Sequence, residues 1–431
     1  MGLHKRARRA FATASGCKAL AFYAWLAFAA FCIVGLPPSD LTVEKMILTQ
    51  CPVCAAPLPH TSAKQCSRCK TRYCGPVCQK QHWEQGGHDK LCRKIRKGGG
   101  AEQYHANNKY AEAVTVAAEA CAEDTKGQTC YICTQALHWK TKEGLVRGCA
   151  CRGTAGFAHV SCLAEQAKIL FAEAEENNLD YNTLGTRWKR WDTCSLCEQK
   201  YHGVVRCALG WDCWKTYRGR PERDEFRITA MRMLGSGLTC AGHDEDALPV
   251  KEAELAMLWR LGASLHETLV TQSNLANTYM KVGRLESALQ MKRDVYSGRV
   301  KKDGEEHKYT LIAANNYSSS LNSLERFEEA KSLLRKTMPV ARRVLGDNDE
   351  NTLRLRWSYA KALYRDPTAT LDDLHEAVET HEDLERIALR VFGGAHPATE
   401  MIQGSLRESR AALSTRSVCE AMAAMTPPGD A

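Results

Sequence analysis

The sequence predicts a multidomain protein in which two small, metal-stabilised modules precede an all-α helical-repeat solenoid. At 431 residues the chain is too long for one compact core. Fourteen of its 21 cysteines fall in two blocks, 51–92 and 130–197, as closely spaced pairs mixed with histidine. The C-terminal half has no such pairs and repeats its helical pattern with a period of 42 residues.

The overall composition is that of a globular protein, with 44% hydrophobic and 25% charged residues. The net charge of +9 is uneven, since residues 1–100 contain 16 Lys/Arg against 4 Asp/Glu. A basic surface can attract nucleic acid, an acidic protein or a membrane. Much of the surplus lies in 5–9 and in the run 93–97, which we interpret as a solvated helix face. Nucleic acid is therefore not an expected partner.

The cysteine pattern points to zinc. Cys-x-x-Cys pairs mixed with histidine are typical of metal ligands, whereas a disulfide framework has no use for histidine. Zinc thiolates need a reducing compartment, so the zinc modules are expected in the cytosol or the nucleus. The scattered cysteines are interpreted as small buried or surface thiols: Cys17, Cys32, Cys121, Cys207, Cys213, Cys240 and Cys419.

The N-terminal part, 1–45, is basic and contains an uncharged apolar stretch, 19–36. As a helix this stretch would span about 27 Å, enough to cross a bilayer core. The positive-inside rule would then place the zinc modules in an oxidising space, which conflicts with the cysteine chemistry. Three interpretations remain open: a single-pass membrane helix of the opposite orientation, a targeting segment, or a start codon drawn too far upstream.

The first block offers eight ligands in four pairs, which complete two closed tetrahedral sites and leave no position for water. Such sites are structural, and a segment this short needs the metal in order to fold. The candidate ligands are Cys51, Cys54, Cys66, Cys69, Cys74, Cys78, His88 and Cys92.

The closing segment of this block, Cys78-Gln79, His82-Trp83, Gly87-His88 and Cys92, resembles the MYND zinc finger over 51–92. The resemblance implies interleaved sites, with the first and third pairs on one zinc and the second and fourth on the other. It also implies a groove near Gln79 and Trp83 that binds short proline-containing peptides. Trp83 as a core aromatic is the alternative, and His82 is left out because eight ligands already fill both sites.

The second block follows an Ala/Glu-rich stretch, 98–127, which is predicted to be a helical spacer. It again offers eight ligands in four pairs within a module of 128–205. The candidate ligands are Cys130, Cys133, Cys149, Cys151, His159, Cys162, Cys194 and Cys197.

The ligand order and the stretch Cys151-Arg-Gly-Thr-Ala-Gly-Phe-Ala-His159-Val-Ser-Cys162 resemble the RING-CH, or RING-variant, finger. The resemblance implies cross-brace pairing of the first with the third pair and of the second with the fourth. Many such proteins are ubiquitin ligases, which hold a charged conjugating enzyme in a reactive pose without covalent chemistry of their own. Their contact surface includes the apolar residue between the first two ligands, here Ile132.

The block departs from that family in three places. Gln166 replaces the family's tryptophan, 31 residues separate Cys162 from Cys194, and Glu198 lies where an activating cation often sits. Trp188 or Trp191 could replace the lost aromatic or belong to the core. The PHD finger has the same order of ligand types but fits the spacing less well.

The repeat period is marked by glycines at 262, 304 and 346, and by threonines at 268, 310 and 352. A fourth copy comes five residues late because of an insertion at 366–370, and a weaker copy precedes the others near 234–247. Two amphipathic helices per unit resemble tetratricopeptide repeats of the kinesin-light-chain type over about 225–415. The resemblance implies a peptide- or protein-binding solenoid. His307 and His396 are interpreted as turn residues, and 416–431 as a disordered tail.

These predictions combine into an adaptor with about four zinc ions and no catalytic residue of its own. The leading hypothesis is a RING-CH-type ubiquitin ligase that binds a ubiquitin-conjugating enzyme and recruits a protein substrate through its repeats and MYND finger. The alternative is a non-catalytic scaffold that binds peptides or chromatin proteins. No open metal site or Ser/His/Asp grouping supports another enzyme class.

Overall fold

The computed structural model describes residues 50–56, 58, 63–392 and 397–425. Most of these residues lie in helices, and most helices that are adjacent in the sequence pack against each other. The basic segment 1–45, with its apolar stretch 19–36, lies outside the described residues. Within those ranges, no helix combines the length and apolar character that crossing a membrane requires.

The first module contains a two-stranded antiparallel hairpin and two short helices. Strand β1, Lys64–Gln65, pairs with β2, Arg72–Tyr73, and helices α1, Pro76–Glu84, and α2, His88–Lys97, follow. Pro76 suits the first position of a helix, where its missing N–H is not needed. Because His88, Cys92 and Ile95 recur at helical spacing, α2 buries one face and leaves its basic residues in solvent.

The second module is helical apart from its metal-binding loops. It begins with α3, Ala101–Ala120, and continues with α4, Val160–Glu176, and α5, Tyr181–Trp188. A single 3₁₀ turn, Lys189–Trp191, and α6, Gly203–Tyr217, complete it. The long gap between the sixth and seventh ligands therefore holds two ordered helices.

Helix α3 is part of this module, although the sequence predicted a spacer. Ala106, Val114 and Ala117 are buried in the same hydrophobic core as the zinc-ligand cysteines and α6. The spacer prediction was wrong in this respect, because alanines at helical spacing form a smooth face on which α6 packs closely.

Nine helices of the described chain form the repeat array, as four successive pairs and a last single helix. They are α7, Glu225–Cys240; α8, Asp244–Leu261; α9, Leu265–Lys281; α10, Leu285–Asp303; α11, Lys308–Ser323; α12, Phe327–Leu345; α13, Glu350–Arg365; α14, Leu371–Phe392; and α15, Pro397–Met425. The predicted solenoid is confirmed. Helices α10 and α12 begin and end 42 residues apart, as do α11 and α13.

The repeated glycines end helices. Gly262, Gly304 and Gly346 are the residues that follow α8, α10 and α12, and all three have positive φ. A side chain is strained in that conformation, so the 42-residue glycine period records where the chain must turn. His307 is the N-cap of α11, and His396 lies outside the described residues.

The C-terminal end differs from its prediction. Helix α15 continues to Met425, so 416–425 is helical and the predicted disordered tail was wrong there. Alanine and methionine make up five of the ten residues of this stretch and favour helix, and the next proline comes only at Pro427.

Candidate metal centres and adjacent surfaces

The structure brings all sixteen predicted ligands together in four sets of four. In each set the Cys Sγ and His nitrogen atoms lie within 4.8 Å of one another. The sets are those that the two resemblances imply: Cys51, Cys54, Cys74 and Cys78; Cys66, Cys69, His88 and Cys92; Cys130, Cys133, His159 and Cys162; Cys149, Cys151, Cys194 and Cys197. Four thiolate or imidazole donors in a compact group match a tetrahedral structural zinc site.

In the first module one site is partly open and the other is buried. The Sγ atoms of Cys54, Cys74 and Cys78 lie 3.5–3.7 Å apart near the surface. All four members of the second set are buried, and Cys69 Sγ lies 3.4 Å from His88 Nε2. The Nε2 atom of His88 thus faces the thiols.

In the second module His159 is oriented by the backbone. Its Nδ1 atom lies 3.4 Å from Cys133 Sγ and 3.6 Å from Cys162 Sγ. Its Nε2 atom lies 3.3 Å from the carbonyl oxygen of Ala136. A hydrogen bond on the far nitrogen fixes the ring and its tautomer, as is usual for a histidine that ligates zinc.

The four Cys-x-x-Cys loops share one backbone shape. The residue after each second cysteine has positive φ: Ala55, Lys70, Thr134 and Glu198. In each loop this residue donates its N–H to the carbonyl of the first cysteine, as Thr134 does to Cys130 at 2.8 Å. Such strain at four equivalent sites indicates that ligand geometry determines the backbone conformation.

The thiols of one set cannot all be thiolates without a cation. Burial raises the pKa of Cys51, but hydrogen bonds from the backbone N–H groups of Cys74, Cys54 and Val53 outweigh this effect and lower the pKa to about 6. In the same set the hydrogen bond with Cys74, followed by desolvation, raises the pKa of Cys78 to about 12. Neighbouring negative charges oppose each other, and a divalent ion removes that conflict.

Gly156 makes a close approach that a side chain would block. It has φ of +85°, and a Cβ atom there would lie 2.6 Å from Cys151 Cβ and 2.9 Å from its Sγ. We expect Gly156→Ala to displace Cys151 and lower zinc content by about one ion per chain. Metal analysis of the purified full-length protein checks this. Gly153→Ala is the control, since it has similar φ but open space, and it should retain all the zinc. Equal zinc content in both variants would contradict the expectation.

The conjugating-enzyme contact predicted at Ile132 lies at an exposed apolar surface. Ile132 is 36% exposed and Leu196 is 51% exposed. A contact of 3.1 Å between Tyr131 Oη and Ser195 Oγ ties their two loops together. Leu196 was not among the residues predicted from the sequence, although Cys194-Ser-Leu-Cys197 mirrors Cys130-Tyr-Ile-Cys133.

The aromatic and charged positions around this surface differ from the family pattern. Trp188 and Trp191 are buried, so they belong to the core and do not replace the missing surface tryptophan at Gln166. Glu198 accepts hydrogen bonds of 3.0 Å from Arg190 Nη2 at both carboxylate oxygens, which lowers the pKa of Glu198. A cation therefore lies beside the last ligand, paired to this glutamate.

The predicted peptide groove of the first module lies on α1. Gln79 is half-buried, and Trp83, one turn later, is 42% exposed while its ring centroid lies 5.8 Å from that of His88. Trp83 is thus not a fully buried core aromatic. His82 Nδ1 lies 3.1 Å from Tyr73 Oη, and His82 belongs to none of the four ligand sets.

Three family models match separate parts of the chain. Residues 51–92 match the MYND finger, 130–197 the RING-variant domain and 267–338 the tetratricopeptide repeat. The three resemblances seen in the sequence are thereby confirmed. MYND and RING-variant fingers bind zinc, so the four ligand sets fit about four zinc ions.

Similarity to whole proteins of known sequence or structure is weaker than these family matches. No curated protein shows a significant match, whereas 51 solved chains do. Two structures of a Podosopora anserina kinesin light chain with nearly identical TPR-like repeats are 19% and 18% identical in sequence to this chain, with TM-scores of 0.37 and 0.36. Each alignment covers 54% of this chain, and the two cover 97% and 98% of the respective kinesin light chain structures. BtubC (BKLC) from P. vanneervenii is 13% identical, covers 63% of this chain and 93% of its own, and has a TM-score of 0.36.

Proposed function

We propose that this chain is a zinc-dependent ubiquitin ligase of the RING-variant type that recruits protein substrates through its repeats and MYND finger. The observation that carries the proposal is the pair of exposed apolar residues, Ile132 and Leu196, on two loops that carry zinc-ligand cysteines and are joined by the contact between Tyr131 and Ser195. RING-type ligases use such a surface to bind a conjugating enzyme.

The chain would act by positioning. The residues that would hold zinc fix both loops, and the hydroxyl contact between Tyr131 and Ser195 joins the loop that carries Ile132 to the loop that carries Leu196. Arg190 places a guanidinium beside the last ligand, where ligases of this type use a cation to restrain the conjugate. No covalent step on this protein is required, because holding the two reactants together lowers the entropic barrier.

The second candidate is a non-catalytic scaffold. It is favoured by Gln166 at the family's tryptophan position and by the burial of Trp188 and Trp191. In that case both fingers would serve only as binding modules, and Arg190 would remain neutralised by Glu198.

Full-length protein incubated with ubiquitin, activating enzyme and a panel of conjugating enzymes is expected to form ubiquitin chains. We expect Ile132→Ala and Leu196→Ala each to slow chain formation by about tenfold, since a central apolar anchor typically contributes more than 1 kcal/mol of binding free energy. Gel analysis with ubiquitin-specific detection measures the rate, and metal analysis should still find about four zinc ions.

The matched control is Leu179→Ala, which truncates another exposed leucine away from the zinc loops. It should leave the rate unchanged. No chain formation with any conjugating enzyme, together with intact zinc content, would favour the scaffold.

Substrate recruitment is assigned to the two remaining modules. Gln79 and Trp83 on α1 are proposed to bind a proline-containing peptide, and the repeats a second segment of the same substrate. Because zinc thiolates need a reducing compartment, we propose the cytosol or nucleus as the site of this activity. Attachment to a membrane through 19–36 is a separate proposal, and fractionation of tagged full-length protein would test it.

A further inference from the structure

The repeat array contains a groove between α12 and α14, with α13 as its floor. Its main hollow has a volume of about 850 Å³ and continues into a second of about 490 Å³. The two hollows share Arg342, Arg356 and Asp383, so they form one continuous surface. We call it the α12–α14 groove.

Helix packing explains why this groove is open. The first helices of successive repeats, α11, α13 and α15, pack against one another, whereas α12 and α14 stand apart. The groove therefore lies on the side of the second helices. Pro339 lies inside α12 and lines the groove, where its ring removes one helical hydrogen bond.

The equivalent position in the preceding repeat holds a pair of aromatic rings. There, between α10 and α12, Tyr296 stacks on Tyr317 with ring centroids 6.2 Å apart. One period later Met338 takes the place of Tyr296, while Tyr359 keeps the place of Tyr317. Arg356 likewise stands where the preceding repeat has Ala314. Met338 and Arg356 thus distinguish the lining of this groove from the equivalent position one repeat earlier.

In the main hollow the two walls of the groove carry opposite charge, with arginines on the α12 wall and carboxylates on the α14 wall. The residues are Arg335, Arg342 and Arg343 on α12, and Glu376, Glu379 and Asp383 on α14. In the second hollow the α14 side carries Arg386 and Arg390, and Arg386 donates to Asp383 at 3.1 Å. At the base Arg356 is only 7% exposed, and its Nη2 donates to Asp383 at 2.5 Å.

The wall arginines can exchange their present partners. Arg335 donates to the neutral Tyr359 hydroxyl at 3.2 Å. Arg342 and Arg343 pair with Asp347 and Glu306, and every member of these two pairs is more than half exposed. Exposed pairs contribute little free energy, so a ligand carboxylate can replace them at small cost.

We propose that the α12–α14 groove binds an extended segment of a partner protein in which acidic and basic side chains alternate. In an extended chain successive side chains point to opposite sides, so one edge would face the arginines and the other the carboxylates. Like side chains recur about every 6.6 Å along such a segment, and Glu379 and Asp383 are about 6 Å apart along their helix.

This inference rests on the proposed function only in assigning the segment to a recruited substrate. Binding itself is measured without ubiquitin or its enzymes. If the peptide does not bind the groove, the result for ubiquitin transfer is unaffected. If no ubiquitin is transferred, the result for peptide binding is likewise unaffected.

The test uses full-length protein and fluorescein-labelled peptides of about ten residues. One peptide alternates glutamate and lysine, a second has the same composition in two blocks, and a third and fourth contain only one charge type. We expect fluorescence anisotropy to show at least fivefold tighter binding of the alternating peptide, with affinity falling as salt rises. Equal or weaker affinity than the block peptide would overturn the proposal.

Two variants locate the site. Met338→Tyr introduces the tyrosine of the preceding repeat and should fill the groove without changing its charge. Arg335→Ala combined with Arg342→Ala and Arg343→Ala should weaken binding about tenfold, at roughly twofold per exposed pair. The matched control is Arg293→Ala with Lys301→Ala, the equivalents of Arg335 and Arg343 in the preceding repeat. Native affinity in both groove variants, or an equal loss in the control, would overturn the assignment.

Discussion

Replacement of Cys194 with serine is expected to remove one zinc ion and to unfold the region from α3 to α8, which shares one core with Cys194. Cys194 is 1% exposed and belongs to one continuous core that includes Val114, Phe171 and Leu234. A structural zinc site contributes about 10–16 kcal/mol in finger peptides, which is comparable to the whole stability of a domain. The thermal unfolding transition of this region should therefore disappear.

Circular dichroism and metal analysis of the same sample check this result. Cys240→Ser is the matched control, because Cys240 is exposed and belongs to none of the four ligand sets. It should keep about four zinc ions and the native transition. If Cys194→Ser lost one zinc ion but kept its helix content and melting temperature, this core would not depend on the metal for its stability.

Asp212→Ala is expected to lower the free energy of unfolding by about 3 kcal/mol. Asp212 lies on α6, is 1% exposed, and accepts contacts from Lys168 at 2.9 Å and Lys215 at 3.4 Å. The Lys215 ammonium also lies 3.4 Å from the ring centroid of Tyr110 on α3. Removal of the carboxylate leaves two partly buried cations facing each other without their counter-ion.

Guanidinium unfolding curves measure the change, provided that the slope stays the same as in the native protein. Asp124→Ala is the control, since its pair with Arg147 is half exposed on the aspartate side. That variant should lose less than about 1 kcal/mol. If both variants lost a similar amount of unfolding free energy, the contacts of Asp212 with Lys168 and Lys215 would contribute no more than an exposed pair. The cluster would then not join α3 to α6.

The metal-ligand sets and the repeat period could be predicted from the sequence because both depend on local spacing. Cysteine and histidine pairs two to four residues apart can reach one ion whatever surrounds them, and a glycine every 42 residues marks where helices end. The closing segment around Trp83 and the stretch up to Cys162 were specific enough to indicate their finger types.

Exposure and domain boundaries could not be predicted, because they depend on which helix faces meet. Trp83 and Trp191 look alike as single tryptophans in zinc modules, yet the first is 42% exposed and the second is fully buried under α6 and its neighbours. Helix α3 had the composition of a linker, but its alanine face packs against α6.

The sequence by itself determined that this protein binds about four zinc ions in two fingers and contains a helical-repeat array. Only the tertiary structure decided that the second finger and α3 share one hydrophobic core with α7 and α8. The same holds for the contact between the loops that carry Ile132 and Leu196, and for the α12–α14 groove. The physical reason is that ligand chemistry and helix periodicity are encoded over a few residues, whereas burial and open surface depend on side chains far apart in the chain.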